Sequence, residues 1–427
     1  MLETIRNAWK NTELRKKILF TLLILLIYRI GVYIPVAGVN ADFIAEQVGK
    51  YSILGLMDIM SGGALGNFTL FAMGITPYIN ASIIMQLLTF AIPALERIAK
   101  DDENGKERLA KYTRYMTIGL ALIQSVAIII GMGSGAIYPI AGSTWLTYIT
   151  IGMTLTAGMA LTMWLGEQIT EKGVGNGISL LIFINIVSRV PSLLGMGIEY
   201  IKLNASYAWW ILPVVIAIVA IIAGVVFVDL GQRRIPVQYA KRVVGRKMYG
   251  GQSTHIPMKV NSSGVLPLIF ASTFCSLPGM IAQFWPNSAF TLWYDKWLGA
   301  GTVVYAVIFA LLIVFFSFFY SQMVFNPIDM SKNLQQQGGF IPGIRPGKAT
   351  SDYLARINNR LVIFGAVFLA IIAMLPMIIG NVGGFGRNIA VTFGSTSLLI
   401  MVSVALETSK QLESQMLMRH YRGFLNR

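Results

Sequence analysis

Ten apolar stretches, separated by polar ones, leave this chain few ways to fold. They run 18–34, 70–90, 115–131, 147–165, 178–190, 209–228, 265–284, 303–325, 361–379 and 392–406. A helix rises 1.5 Å per residue, so about 20 apolar residues cross a bilayer's hydrocarbon core. Inside that core each backbone N–H and C=O needs an internal partner, and helices supply it. Charged residues make up 12% of the chain and hydrophobic ones 55%, whereas soluble domains carry roughly 25% charged residues. The chain is therefore read as an all-α polytopic membrane protein, which leaves little room for a soluble enzyme.

Lysine and arginine gather in cytoplasmic loops, so their placement tests the span count. With ten spans, 28 of the 34 basic residues fall on the side that holds the N-terminal segment. Five fall opposite (Lys50, Arg189, Lys202, Lys296 and Arg387), and Arg29 lies inside the first span. One missed or extra span would scramble this asymmetry, so both termini are expected to be cytoplasmic. The net charge of +15 then reads as topology rather than nucleic-acid binding. The first apolar run lacks a small-residue cleavage site after it and is read as a retained span. One cysteine and two histidines give no disulfide framework and no cysteine/histidine metal site.

The expected organisation is a cytoplasmic segment 1–17, a first half 18–190, a second half 209–406 and a cytoplasmic tail 407–427. The fifth and tenth spans are short. The second is interrupted at Pro77 and the seventh at Pro267 and Pro278. Matching irregularities in two groups of five predict an inverted repeat with a site between the halves.

The segment from Met57 through Asp58, Ile59, Ser61, Gly62, Gly63, Ala64 and Leu65 is too glycine-rich and polar to span. The next span carries Thr76, Asn80, Ser82 and Gln86. Irregular backbone beside a polar-dotted span is tolerated at membrane depth where protein or an aqueous cavity surrounds it. The pattern predicts a pore with a segment seated in it; an ordinary re-entrant or surface loop is the plainer alternative.

Two loops, 229–263 and 326–358, are far longer than a connection needs. Ile235, Val237 and Tyr239 alternate as in a strand, which suggests a protruding hairpin. Gly338 to Gly347 is dense in glycine and proline, so a shaped, non-helical tip is expected there. Arg233, Arg234 and Arg345 sit in these shaped loops and read as a docking surface; the plainer reading is charge that only sets topology. Arg29, Glu167 and Asp229 lie in or at the ends of spans, where an ionisable group is a functional candidate by default. A turn suits Glu167, and Arg29 is expected either to snorkel or to pair within the bundle. No phosphate-binding Gly-x-x-x-x-Gly-Lys-Ser/Thr loop is present, so energy for movement has to come from a partner.

Several motifs together are specific. They are Ser61-Gly62-Gly63-Ala64-Leu65, Pro77-Tyr78-Ile79, Gly166 to Gly173 with Gly175-Asn176-Gly177-Ile178-Ser179, Gly231 to Arg242, Gln252-Ser253-Thr254-His255 and Ile341 to Gly347. In this order they closely resemble the SecY family, the channel subunits of the bacterial protein-conducting translocon, over essentially the whole chain. The resemblance implies ten transmembrane helices in two pseudo-symmetric halves around a central pore. It implies a plug half-helix at about 52–66 and a pore ring of Ile75, Ile79, Ile182, Ile269 and Ile400. Spans two and three against seven and eight would form a lateral gate toward lipid, with Asn80, Gln86 and Ser272 placed on it. Arg233, Arg234 and Arg345 fall where the family meets a ribosome or the SecA ATPase.

The implied partners are SecE-like and SecG-like small membrane subunits, SecA, the ribosome, a secretory precursor with its signal peptide, and the surrounding lipid of the bacterial plasma membrane. No cofactor and no catalysis are implied. A ring of branched aliphatic side chains can exclude water when empty and yield around a chain. Ile75 and Ile79, four apart, share one helix face. The rival is an inverted-repeat secondary transporter of a small solute. Scarce midplane charge and two long basic loops weigh against it.

Overall fold

The computed structural model describes residues 6, 9–41, 43–44, 58, 61–100, 104–132, 134–139, 142–203, 208–239, 242–244, 247–249, 253–261, 264–282, 288–299, 302–382 and 395–425. The first half of the chain contains α1 (Thr12–Gly31), α2 (Thr76–Ala91), α3 (Pro93–Lys100), α4 (Asn104–Met132), α5 (Thr144–Lys172) and α6 (Gly177–Leu203). There follow α7 (Ala208–Leu230), β1 (Gln232–Tyr239), β2 (Arg242–Val244), β3 (Lys247–Tyr249) and β4 (Ser253–Lys259). The last part holds α8 (Leu266–Ala282), α9 (Ala289–Trp297), α10 (Val303–Val324), α11 (Pro327–Gln336), β5 (Gly339–Phe340), α12 (Lys348–Val382) and α13 (Ser395–Leu425).

Helices overlap all ten apolar stretches. Among the described residues, four are long and apolar enough to cross a membrane by length and composition: Gly105–Ile130, Thr144–Lys172, Val303–Gln336 and Lys348–Leu375. A fifth arises if Thr76–Ala91 and Pro93–Ala99, bent by 106°, count as one span. Gly177–Ser192, Ile218–Leu230 and Leu266–Gly279 are shorter apolar helices. The molecule is an all-α polytopic membrane protein whose spans carry a small β head.

Two boundaries differ from the sequence reading. Pro77 does not interrupt a helix; it sits in the first turn of α2, after turns that run to Ile75. Proline lacks an N–H that a first turn would leave unpaired anyway, and its fixed φ suits that position. Likewise α6 does not stop at Val190 but continues through Pro191 to Leu203, which places Arg189 within a helix rather than in a loop.

The head joins the two long loops. β1 pairs antiparallel with β4, Ile235 opposite Ile256 and Val237 opposite Thr254, and its far end pairs with β5 at Gln238–Phe340 and Tyr239–Gly339. The alternation expected at 235 and 237 is present, because Ile235 and Val237 are buried while their neighbours face out. They pack with Met258, Leu334, Ile341, Leu354 and Ile357 in one small core. Side chains of this size each contribute about 1.5–3 kcal/mol when fully buried, enough to hold the head in shape. The second loop is more helical than its glycine and proline content suggested: α11, capped by Asn326, precedes the non-helical tip at 338–347.

Candidate pore, plug and gate

The turns before α2 and the first half of α6 build the centre. Ile75 caps α2, and Ile79 lies one turn inside it. Ile182 is in α6, Ile269 in α8 and Ile400 in α13. Ile75, Ile79, Ile182 and Ile400 are buried in a single cluster, and Ile269 packs against it partly exposed. The five residues, drawn from four helices, thus share one apolar core. A cavity of about 450 Å³ adjoins it, lined by Ile182, Ile269 and Ile400 together with Asp229, Lys259, Asn261 and Lys410. Asp229 ends α7 just before β1, and Lys259 ends β4, so this cavity opens on the side of the head.

The glycine-rich segment packs against the same core. Asp58 accepts from the N–H of Gly66 at 2.7 Å, and its carbonyl accepts from Gly63 at 2.9 Å and from the Ser61 hydroxyl at 3.0 Å. The Ser61 hydroxyl in turn accepts from Leu65 N–H at 3.2 Å. These local bonds tie 61–66 to Asp58 in a compact knot of turns. Ala64 belongs to the same apolar cluster as the ring, and Ser61 lies against Gly74, just before α2. Met57, Ile59 and residues 52–56 of the expected plug lie outside the described residues.

Charged and polar groups hold the knot in place. Arg189 of α6 forms an ion pair with Asp58, their side chains 23% and 11% exposed. Arg29, in the last turn of α1, donates to the Gly62 carbonyl at 3.4 Å and to the Tyr33 hydroxyl at 3.4 Å. Arg29 thus pairs within the bundle, one of the two outcomes expected of it. Gly62 has φ +71°, and a Cβ there would stand 2.7 Å from Asn185 Oδ1 and 2.9 Å from Arg29 Nη1. Asn185 also donates to the buried Tyr28 hydroxyl at 2.9 Å, which joins α6 to α1. Ile182, Asn185 and Arg189 follow the i, i+3, i+7 spacing of one helix face. One stripe of α6 therefore carries a ring residue and, roughly 10 Å further along the axis, the partner of Asp58.

The proposed gate residues make no bond to one another. Gln86 donates to Ser82 on its own helix at 3.3 Å, leaving its buried Oε1 without a partner, and Ser272 donates to the Ile269 carbonyl at 2.8 Å. Asn80 is buried with its Oδ1 unpartnered. At Gln86 and Ser272 the amide and the hydroxyl each find a partner within a turn of their own helix. Contact across this seam includes an edge-to-face pair of Phe90 and Phe319, ring centroids 5.4 Å apart. α2 packs along α4, and α8 along α10, while α8 meets α2 and α4 only sparsely.

Glu167 accepts from Arg114 at 2.8 Å, tying α5 to α4. Asp229 accepts from Asn261 at 2.9 Å and from Ser403 at 2.7 Å. Both carboxylates thus have structural partners. Arg233, Arg234 and Arg345 are exposed on the head. The sequence reading missed the roles of Asn185 and Arg189; the signal was their spacing from Ile182 on one helix face.

An all-helical bundle whose five isoleucines share one apolar core, with a polar-anchored segment and a cavity beside it, fits a polytopic membrane protein of the channel class. Comparison with known proteins narrows the class. A model of the SecY family matches residues 69–409. The protein translocase subunit SecY of Streptomyces galbus is 44% identical over 442 residues, covering 100% of both chains. That of Mycobacterium tuberculosis (strain ATCC 25618 / H37Rv) is 42% identical over 445 residues, again covering 100% of both. The chain belongs to the SecY family. A solved structure described as that of a protein-conducting channel shares its fold, with TM-score 0.68 at 19% identity, covering 94% of this chain and 92% of the other. Sec61 in a canine ribosome–channel complex gives TM-score 0.64 at 17% identity, with 94% and 92% covered.

Proposed function

We propose that this chain is the passive, non-enzymatic channel of a bacterial translocon, moving unfolded secretory polypeptides across the plasma membrane and releasing hydrophobic segments sideways into lipid. The observation that carries the reading is the convergence of Ile75, Ile79, Ile182 and Ile400, with Ile269 beside them, on one cluster that also takes in Ala64. Such a ring presents no charge to hold a passing segment, and it excludes water when empty. In this reading ten spans form two inverted halves of five, with both termini cytoplasmic. Residues 52–66 act as the plug, and the knot of Asp58 with 61–66 is its anchored part.

The sparse seam of α8 against α2 and α4, with Asn80, Gln86 and Ser272 near it, serves as the lateral gate. Weak contacts suit an interface that opens. The head presents Arg233, Arg234 and Arg345 to a ribosome or a SecA-type ATPase, which supplies the energy. SecE-like and SecG-like subunits would accompany the chain in the membrane. The secondary-transporter reading loses ground because Glu167 and Asp229 are committed to structural bonds, leaving neither carboxylate poised for proton coupling.

Ion conductance tests the proposal. Ile79→Gly with Ile182→Gly widens the ring and is expected to give a steady ion leak in planar bilayers where the parent chain seals. A seal unchanged by both substitutions, with flux coupled to a small solute, would restore the transporter reading.

A further inference from the structure

The connection between α8 and α10 contains an aromatic-rich helix to which the channel reading gives no task. α9 has the sequence Ala-Phe-Thr-Leu-Trp-Tyr-Asp-Lys-Trp. Phe290, Trp293 and Trp297 fall at i, i+3 and i+7, on one face, and are 44%, 52% and 49% exposed. Phe290 and Trp293 stack on each other at 6.4 Å, and the Lys296 ammonium lies 5.9 Å from the Trp297 ring.

The other face of α9 is fixed to its neighbours. Thr291, buried, donates to the carbonyl of Ala282, the last residue of α8, at 3.3 Å; helix-terminal carbonyls lack an internal partner, so this bond caps α8. Tyr294, 2% exposed, donates to the Cys275 carbonyl at 3.1 Å. That carbonyl adjoins the one left without its helical donor by Pro278, at Phe274. At the other end Thr302, which caps α10, donates to the Trp297 carbonyl at 2.9 Å. The aromatic face is thus held at a set orientation rather than hung on a loop.

Its place in the fold says what covers it. α8 begins next to β4 and α10 ends next to α11, both at the head, so α9 joins their opposite ends. From Thr302 the chain runs straight into an exposed apolar stripe, Val303, Val307 and Leu311, which are 73%, 48% and 65% exposed, as a lipid-facing side of a span would be. Tryptophan rings settle where headgroups meet acyl chains, and a short helix with one aromatic face lies in that plane.

We propose that α9 is an interfacial anchor: Phe290, Trp293 and Trp297 dock into the headgroup–acyl boundary of the leaflet away from the head. Through Tyr294 and Thr291 the anchor fixes the end of α8, the gate helix, against the lipid surface. The inference rests on α8 and α10 being spans.

The test uses the single, buried cysteine. In a Cys275→Ser background, Phe290→Cys, Trp293→Cys and Trp297→Cys each receive a nitroxide, with Leu311→Cys as the lipid control and Arg234→Cys as the water control. The full chain, purified from its membrane with its companion subunits, is placed in phosphatidylethanolamine/phosphatidylglycerol nanodiscs. Accessibility to oxygen and to a water-soluble nickel chelate is then read by electron paramagnetic resonance. The proposal expects oxygen access to exceed nickel access severalfold at 290, 293 and 297, at a depth of roughly 5–10 Å below the headgroups. Water-like access at these sites with lipid-like access at 311 overturns the anchor alone. Exclusion of both reagents from them shows a protein partner on the face and overturns it as well. Water-like access at 311 too would overturn the spanning reading along with the anchor.

Discussion

Asp58 and Arg189 meet where neither is well hydrated, and removing one leaves the other a poorly solvated charge. A hydrogen bond to a charged group is worth about 1.5–3 kcal/mol, and each 1.4 kcal/mol is a factor of ten in an equilibrium. Arg189→Gln or Asp58→Asn is therefore predicted to raise spontaneous opening in single-channel recordings by about ten- to a hundredfold. The exchanged pair, Asp58→Arg with Arg189→Asp, is expected to recover most of the closed state. Unchanged opening in both single variants would show that the knot stays seated without the ion pair. Gly62→Ala acts on the same contact by another route. Its backbone φ of +71° and the proximity of Asn185 and Arg29 disfavour any side chain, so the variant is predicted to leak ions with the ion pair intact. A tight seal in it would mean that the knot shifts as a unit at little cost.

Among the elements, local periodicity was readable and long-range partnership was not. The alternation of Ile235, Val237 and Tyr239 announced a strand, since side chains on a strand point to alternate faces. Nothing local announced that β5, about 100 residues on, pairs with the same strand. The start of α2 was misplaced because a proline in an apolar run looks the same in a first turn as in a kink. The end of α6 was misplaced because Arg189 and Pro191 mimic a span boundary, whereas the arginine is compensated by an Asp58 that only the fold brings near. Of the site, the five isoleucines were singled out by family resemblance alone; any isoleucine in a span looks alike by composition. The role of Ile182, Asn185 and Arg189 as one stripe was open to a helix-face count.

The head supplies two predictions at this scale. Val237→Asp buries an unpaired carboxylate in a small core and is predicted to open both head loops to protease while the spans keep their helicity. Protection of both loops in that variant would contradict a shared core. Arg345→Glu alters an exposed position and leaves that core alone. It is predicted to impair partner-driven export while the variant inserts into the membrane at parental levels. Normal export would remove Arg345 from the docking surface.

Over the whole molecule, the proposed channel combines a head that would receive a driving partner, a cavity of about 450 Å³, the isoleucines of the shared apolar core and the charge-anchored knot. α8 packs only loosely against α2 and α4, as the proposed side exit requires. Packed interiors switch between discrete arrangements rather than deform continuously, so displacement of the knot and parting of the seam are expected as distinct states. The central claim is that a polypeptide passes through the ring. A photo-crosslinking residue at position 79, in membranes carrying a stalled secretory precursor, tests it most directly, with position 22, exposed on α1, as the lipid-facing control. Passage through the ring gives crosslinks from position 79 to the translocating segment and none from position 22. Crosslinks from position 79 to lipid or neighbouring helices alone would contradict it and return Ile79 to ordinary packing.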